Sequence, residues 1–381
     1  MVTPMDFFQN KVNQISFIKE NWEKKPIVLR NIIPNAEKII AQDELIEMAT
    51  DDYFISRLIT QHKNEWTVTD GPFEKGELNQ RSSDKWTLVN HNVNLYNEKI
   101  HKIQRSLEFL PAWLFDDGMT TLSTKGSSVG AHIDNYNVFI IQLSGSRKWQ
   151  IQNNPKKKFQ EGLPVKILEE FEPDEEYILE PGDMIYIPPH VAHHGISLED
   201  SLSLSMGFKS IEFEDLLKTM AVEILEEEKD LPFFKTEFDK PTTEDSLIID
   251  SKNLNKIKKA LIDQIENSTW VEDSLLKFAS KSKGLFDEND ELEFKEFEEL
   301  FKGNDLVLDE FCKFSVIKRD SKTLSLGING SIFNINPKQY VLIKKMQQML
   351  PQSAITHDQF GEISDLLFSF YLDGYCGLRE D

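Results

Sequence analysis

In the stretch Gly130-Ala131-His132-Ile133-Asp134, an imidazole and a carboxylate stand two residues apart. Residues two apart in an extended chain point to the same face, so His132 and Asp134 can aim at one point. A second imidazole from a later strand would complete a 2-His-1-carboxylate facial triad. That ligand set leaves coordination positions open, as non-haem Fe(II) oxygenases require. The chain offers the imidazole in His190-Val191-Ala192-His193-His194-Gly195, just after the apolar run Met184-Ile185-Tyr186-Ile187 and Pro188-Pro189. A lone His-x-Asp pair carries little weight, and His-rich turns are often plain exposed loops. Together, in this order and on predicted strands, they point to a metal centre. Among the three clustered histidines, His190 and His194 can be bystanders.

Arg147 is the next residue with chemistry to offer. It opens the strand that returns after the turn Ser144-Gly145-Ser146 and shares a face with Trp149 and Ile151 by the two-residue period. Those two should face the interior, and Arg147 with them. A buried guanidinium needs an anion, and its planar fork matches a carboxylate. The distal carboxylate of 2-oxoglutarate would meet that need; a protein salt bridge or an exposed strand start would also satisfy it.

The elements that must position these groups are mostly β. Residues 120 to 208 carry short strands separated by turns. These are Val138 to Leu143, Arg147 to Ile151, Tyr177 to Leu179, Met184 to Ile187 after the turn Pro181-Gly182-Asp183, and Ser201 to Phe208. The last alternates Ser with apolar residues, the period of a half-buried strand. This spacing predicts a barrel or sandwich. Upstream, Phe17 to Trp22 reads as a helix ended near Pro26, and Ile27-Val28-Leu29 as a short buried strand.

Downstream, Leu216, Leu217, Met220, Ala221, Ile224 and Leu225 mark an amphipathic helix. Residues 232 to 246 read as a polar linker, and helical patterns resume from Leu254 to Lys281. Glu291 to Phe301 reads as helix. Phe311 to Ile317, Thr323 to Ile328 and Ser331 to Ile335 read as strands, with Asn329-Gly330 as a tight turn. Two more helices are predicted, Lys338 to Met349 and His357 to Tyr371. Helix, small sheet and helices resemble a winged-helix module.

Bulk properties narrow the function. A chain of 381 residues exceeds one ordinary domain. Its formal net charge of −22 disfavours direct nucleic-acid binding and suits a basic protein partner. The two cysteines, Cys312 and Cys376, form no CxxC motif, so neither a disulfide framework nor a Cys-based zinc site is expected. Met1 to Asn10 does not read as a secretory signal, and no apolar run suits a membrane span. A cytoplasmic location follows as the expectation.

The run from Ser128 through His132, Asp134, Tyr136 and Gln142 to Arg147 and Trp149 resembles the JmjC/cupin-type ribosomal oxygenases. So do Leu179 to Pro189 with His193 and Gly195 following, and the early Asn21-Trp22-Glu23-Lys24-Lys25-Pro26. The similarity covers the whole chain, and it looks strongest to the bacterial enzymes that hydroxylate an arginine of large-subunit ribosomal protein sixteen. The resemblance implies a double-stranded β-helix (jelly-roll, cupin, JmjC-type) with added helices in residues 1–210. It also implies a helical dimerisation region in 211–282 and a winged-helix-like domain in 283–381. It implies Fe(II) held by His132, Asp134 and His193, with 2-oxoglutarate as cosubstrate and O2 as oxidant. Arg147 matches the residue that binds the cosubstrate's distal carboxylate, and Ser203 falls where relatives carry a small polar group near it. Ala131 departs from the Pro of many members, and His190 and His194 are unusual neighbours. His193 is favoured over them because the spacing Pro-Pro-x-x-x-His-x-Gly matches.

The function so implied is Fe(II)- and 2-oxoglutarate-dependent hydroxylation of a basic ribosomal protein by a homodimer, at C3 of an arginine. The residues that would grip the target side chain do not align, so arginine and histidine both stand as targets. Two rivals use the same barrel: an N-methyl demethylase, which would release formaldehyde, and a non-catalytic cupin that only binds. A cupin isomerase with another metal and no cosubstrate is a third.

Overall fold

Strand β7 (Tyr136–Ser144) shows how the molecule is layered. Its Phe139, Ile141 and Leu143 join one buried cluster, while Val138 and Ile140 join another. Successive side chains alternate faces, so a strand covered on both sides must be apolar almost throughout. β10 (Met184–Ile187) repeats the pattern, with Met184 and Tyr186 on one side and Ile185 and Ile187 on the other.

The computed structural model describes residues 13–62, 65–74, 76, 78, 85–226, 251–267, 269–282, 284, 286, 289 and 291–379. The predicted linker at 232–246 lies outside them, as does the segment Met1 to Asn10. The chain forms two compact units, 1–210 with 348–353, and 211–347 with 354–381.

The first unit holds two antiparallel sheets. The remaining strands are β1 (Ile27–Leu29), β2 (Ser56–His62), β3 (Glu65–Asp70), β4 (Lys85–Asn90), β5 (Phe115–Ser123), β6 (His132–Ile133), β8 (Arg147–Gln152), β9 (Glu175–Leu179), β11 (Ala192–Ser197) and β12 (Ser201–Lys209). The larger sheet runs β1-β10-β7-β12-β5-β4-β2-β3 and the smaller β6-β11-β8-β9. Val138, Ile140, Trp149, Ile151, Leu179, Ile185, Ile187 and Val191 fill one end of the space between them. Behind the larger sheet, Leu45, Leu88, Leu122, Phe139, Tyr186 and Leu204 pack with Phe17 of the helix Gln14–Glu20. Burying a side chain of this size stabilises by about 1.5–3 kcal/mol. This is the JmjC/cupin-like fold of the sequence expectation.

Two differences from that expectation are instructive. β12 was read as half-buried, yet Ser201, Ser203 and Ser205 are as inaccessible as Leu202 and Leu204. The alternation reports which face is polar, not which face is wet: the serine face looks into the barrel. The His-rich stretch, expected just after the strand Met184 to Ile187, itself enters a strand, β11, hydrogen-bonded to both β6 and β8.

In the second unit the helix Phe213–Glu226 packs on the helix Trp270–Ser280, with the helix Ser251–Asn267 between them in sequence. Strands β13 (Leu306–Leu308), β14 (Phe314–Lys318), β15 (Leu324–Ile328), β16 (Ser331–Ile335) and β17 (Cys376–Leu378) form a three-stranded sheet, β14-β15-β16, and the pair β13-β17. Helices Phe294–Gly303, Pro337–Gln347, His357–Phe360 and Ser364–Leu372 accompany them. The helix predicted over His357 to Tyr371 is broken by a 3-10 turn at Gly361–Ile363.

Candidate metal centre

His132 opens on the short strand β6, and β6 pairs with β11 so that His132 stands opposite His193. Asp134 follows two residues on. The carboxylate oxygen Oδ2 of Asp134 lies 3.8 Å from Nε2 of His132 and 3.5 Å from Nε2 of His193. One ligand atom from each of the three lies within 4.8 Å of the others, the grouping that a single metal ion requires.

The ring orientations follow from the backbone. Nδ1 of His132 meets the carbonyl of Gly130 at 2.9 Å, and Nδ1 of His193 meets that of Val191 at 3.2 Å. A carbonyl only accepts, so each Nδ1 carries the proton and each Nε2 presents a lone pair. Gly130 has φ 88°, a conformation that turns its carbonyl to this use and that side-chain-bearing residues rarely adopt. Burial, then the neighbouring His132, pushes His193 down to about 4, so it stays neutral and ready to coordinate.

The two bystander histidines are set apart by strand geometry. His194 points to the opposite face of β11 and packs edge-on against Phe171 at 5.9 Å. His190 precedes the strand at φ 66°, and its N–H bonds the carbonyl of Asp134. The His193 ring is held by Trp149, whose indole centroid is 5.9 Å away. That indole lies over Gly195, where an added Cβ would come within 2.8 Å of Trp149 Cη2. The glycine two residues beyond His193 thus makes room for the ring that packs against it.

Arg147 lies on β8 with Trp149 and Ile151, all three buried and alternating with more exposed neighbours. Its Nε donates to Ser201 Oγ at 2.9 Å and its Nη1 to Thr121 Oγ1 at 2.7 Å. Nη2 donates to the Thr121 carbonyl, Ser123 Oγ and the Ser201 carbonyl at 2.6, 3.0 and 3.2 Å. Every partner is neutral, and among the described residues no carboxylate pairs with it. A guanidinium has five N–H groups, and the second N–H of Nη1 has no acceptor here. Burial alone pulls the charged form down to about 9. Because a guanidinium gives up its proton only with difficulty, this burial amounts to a demand for an anion.

Ser203 faces the same interior from β12. It stands opposite Thr121 of β5 and Gln142 of β7, and its Oγ donates to Gln142 Oε1 at 3.4 Å.

The acidic character that suits a basic partner was legible from the overall charge, but the residues that carry it at the barrel come only from the fold. On β5, Asp117, Met119, Thr121 and Ser123 share the face that meets Arg147. Asp117 is buried, with Oδ2 2.7 Å from His91 Nδ1 and Oδ1 taking the N–H of Asn92 at 2.7 Å. The phenol of Tyr136 is raised by burial first, then by Asp134, to which it donates a hydrogen bond, and by Asp117 and Asp116. Tyr136 thus stands in the negative field of these carboxylates. The two-residue spacing from Asp117 to Thr121 was a usable signal; nothing local to His91 was.

Known proteins match this architecture. The JmjC domain family model matches residues 102–216. The ribosomal protein uL16 3-hydroxylase of Escherichia coli is 30% identical over 287 residues, 74% of each chain. A probable ribosomal oxygenase of Haemophilus influenzae is 28% identical over 275 residues, 70% of this chain and 67% of that one. The X-ray structure of E. coli YcfD is 26% identical and superposes with a TM-score of 0.78 over 97% of this chain and 98% of its own. YcfD, described as a ribosomal oxygenase, has also been solved with cobalt and 2-oxoglutarate, at 24% identity and a TM-score of 0.76. With three side chains able to hold one metal ion converging inside such a barrel, and 30% identity over 74% of both chains, this protein belongs to the JmjC-type ribosomal oxygenases.

Proposed function

We propose that this protein is an Fe(II)- and 2-oxoglutarate-dependent dioxygenase that hydroxylates an arginine of a basic ribosomal protein, at C3, with uL16 as the substrate to test first. The observation that carries the reading is polarity along the barrel. The buried cation Arg147 meets Thr121 and Ser123 on β5 and stands opposite Ser197 on β11, four residues along from His193, while the buried carboxylate Asp117 lies four residues from Thr121 on β5. An anionic cosubstrate and a cationic substrate would be drawn to opposite ends of that axis. Asp117 favours a guanidinium over a neutral imidazole.

The residues fit the groups they would hold. Two neutral imidazoles and a carboxylate on one side of a point form the facial set of a non-haem iron site. Arg147 would grip the far carboxylate of 2-oxoglutarate, with Ser203 among the hydroxyls around it. Iron and 2-oxoglutarate, when bound, supply the oxidising power by which O2 adds one oxygen atom to the substrate and one to succinate, with release of CO2. The protein's own part is orientation and dryness. Val138, Ile140, Trp149, Ile151 and Ile185 keep water from the space beside the ligands.

The assembly is read from the second unit. Residues 211–282 serve as a dimerisation region and 283–381 as a winged-helix-like domain that contacts protein. Exposed Leu217 and Leu225, with Leu254, Leu261 and Ile265, support a homodimer face. No helix among the described residues is long and apolar enough to cross a membrane, and a ribosomal substrate fits a cytoplasmic location.

The test is mass spectrometry of uL16 after incubation with the protein, Fe(II), 2-oxoglutarate and O2. One added oxygen on an arginine, absent with His132→Ala, is the expected result. An unmodified uL16 alongside continued 2-oxoglutarate turnover would remove the substrate assignment and leave the cofactor chemistry.

A further inference from the structure

His91 directly follows β4, away from every metal-ligand candidate in sequence, yet it reaches the carboxylate of Asp117. Its Nδ1 lies 2.7 Å from Asp117 Oδ2. A carboxylate accepts, so Nδ1 is the donor. The neighbouring N–H of Asn92 meets the other oxygen at 2.7 Å, from a residue at φ 56°. Each oxygen of Asp117 is thereby fixed by one donor and keeps a further lone pair.

Charge around the pair is one-sided. Asp116 is answered by Lys209 at 3.2 Å. Among the described residues, Asp117 pairs with no lysine or arginine; its one basic neighbour is His91. Asp117 is buried while His91 is more than a quarter exposed, so the imidazole stands on the solvent side of the pair. Asp117 also acts on the phenol of Tyr136, which donates a hydrogen bond to Asp134.

We propose that His91 is a positioning residue for substrate recognition: with the Asn92 N–H it clamps the Asp117 carboxylate in the orientation that receives a guanidinium. The inference rests on the reading that the target side chain is a cationic arginine. Two N–H groups of one guanidinium can meet both oxygens of a fixed carboxylate, a geometry that a swinging carboxylate offers only part of the time. The purely structural alternative is that these bonds tie the turn at 91–92 to β5 and do nothing else.

The two are separated by peptide binding and kinetics on His91→Leu, which removes the donor, and His91→Asn, whose amide nitrogen can stand where Nδ1 does. Kd for an arginine peptide of uL16, and for the same peptide with neutral citrulline, is measured by calorimetry without O2 on the metal-loaded protein. His91→Leu should weaken the arginine peptide about tenfold and the citrulline peptide little. KM for the arginine peptide should rise in step, with kcat and the KM for 2-oxoglutarate held. His91→Asn should restore most of the affinity. Unchanged arginine-peptide affinity in His91→Leu overturns the proposal. So does an equal loss for both peptides that His91→Asn fails to rescue. A wild-type protein that binds the two peptides equally overturns the cationic-substrate reading and this inference together.

Discussion

A buried charge with only neutral partners is costly unless an ion completes it, and Arg147 is such a charge. Its five hydrogen bonds go to hydroxyls and carbonyls of Thr121, Ser123 and Ser201. They hold the fork in place without neutralising it, which is the preparation an anionic cosubstrate needs. Arg147→Met should raise the KM for 2-oxoglutarate at least about 30-fold, the usual cost of leaving one member of a buried pair unmatched. It should also abolish the rise in melting temperature that 2-oxoglutarate gives the metal-loaded wild type. A KM within about twofold of wild type would place the cosubstrate's far end elsewhere. Asp134→Ala should abolish metal binding, read by titration with Co(II), because two neutral imidazoles then remain without the charged ligand.

At the scale of elements, the site depends on how β6, β8 and β11 sit side by side. The register puts His132 against His193, His193 against Ile151, and Gly195 against Trp149. A slip of one residue would turn His193 outward and His194 inward. Gly195 secures the arrangement, since its missing side chain lets the indole rest on the strand. Gly195→Ala should therefore push Trp149 off the strand and loosen His193. The expected cost is about 1–3 kcal/mol of stability, seen in chemical denaturation, with weaker metal binding. Adding Trp149→Phe to that variant should recover part of the stability, because a smaller ring leaves space for the new methyl. No recovery would mean that the strand backbone, and not the indole, is what the methyl disturbs.

For the whole molecule, two properties emerge that no single strand owns. The first is acid sensitivity. Burial pushes both His193 and His194 down to about 4, whereas in an unfolded chain histidine titrates near about 6.5. The folded state binds fewer protons across that interval. The stability contributed by these neutral rings is complete above about pH 6.5 and is lost as pH falls toward about 4. Melting temperatures of the metal-free protein should decline over that window. His194→Asn should lower the proton uptake on unfolding by about one. The second is the proposed assembly. Leu217 is 61% exposed and Leu225 76%, although the helix pattern placed both on an apolar face. In the same helix it is Glu223 that is buried, 2.7 Å from Lys277. If the proposed homodimer forms through this face, Leu217→Glu combined with Leu261→Glu should convert it to a monomer in light scattering while leaving melting of the chain nearly unchanged. A species of unchanged mass would reject this face as the interface.

The local part of this design was written in the sequence, because side-chain direction in a strand repeats every two residues. That rule paired His132 with Asp134, put Arg147 beside Trp149 and Ile151, and bounded Met184–Ile187 as a strand. The apolar run of β7 and the serine-leucine alternation of β12 likewise marked a barrel. Cross-strand register, however, is a long-range quantity, fixed only when sheets form. Spacing by resemblance favoured His193 over His190 and His194, but only the tertiary structure turned the stretch into β11 and gave the geometric reason. Only it showed that the serine face of β12 is buried, and that among the described residues no carboxylate pairs with Arg147. The meeting of His91, Asp117 and Tyr136 likewise joins three separate strands or strand ends, and no local pattern encodes it. Periodicity is a property of neighbours along the chain, whereas convergence on a metal or a substrate is a property of neighbours in space.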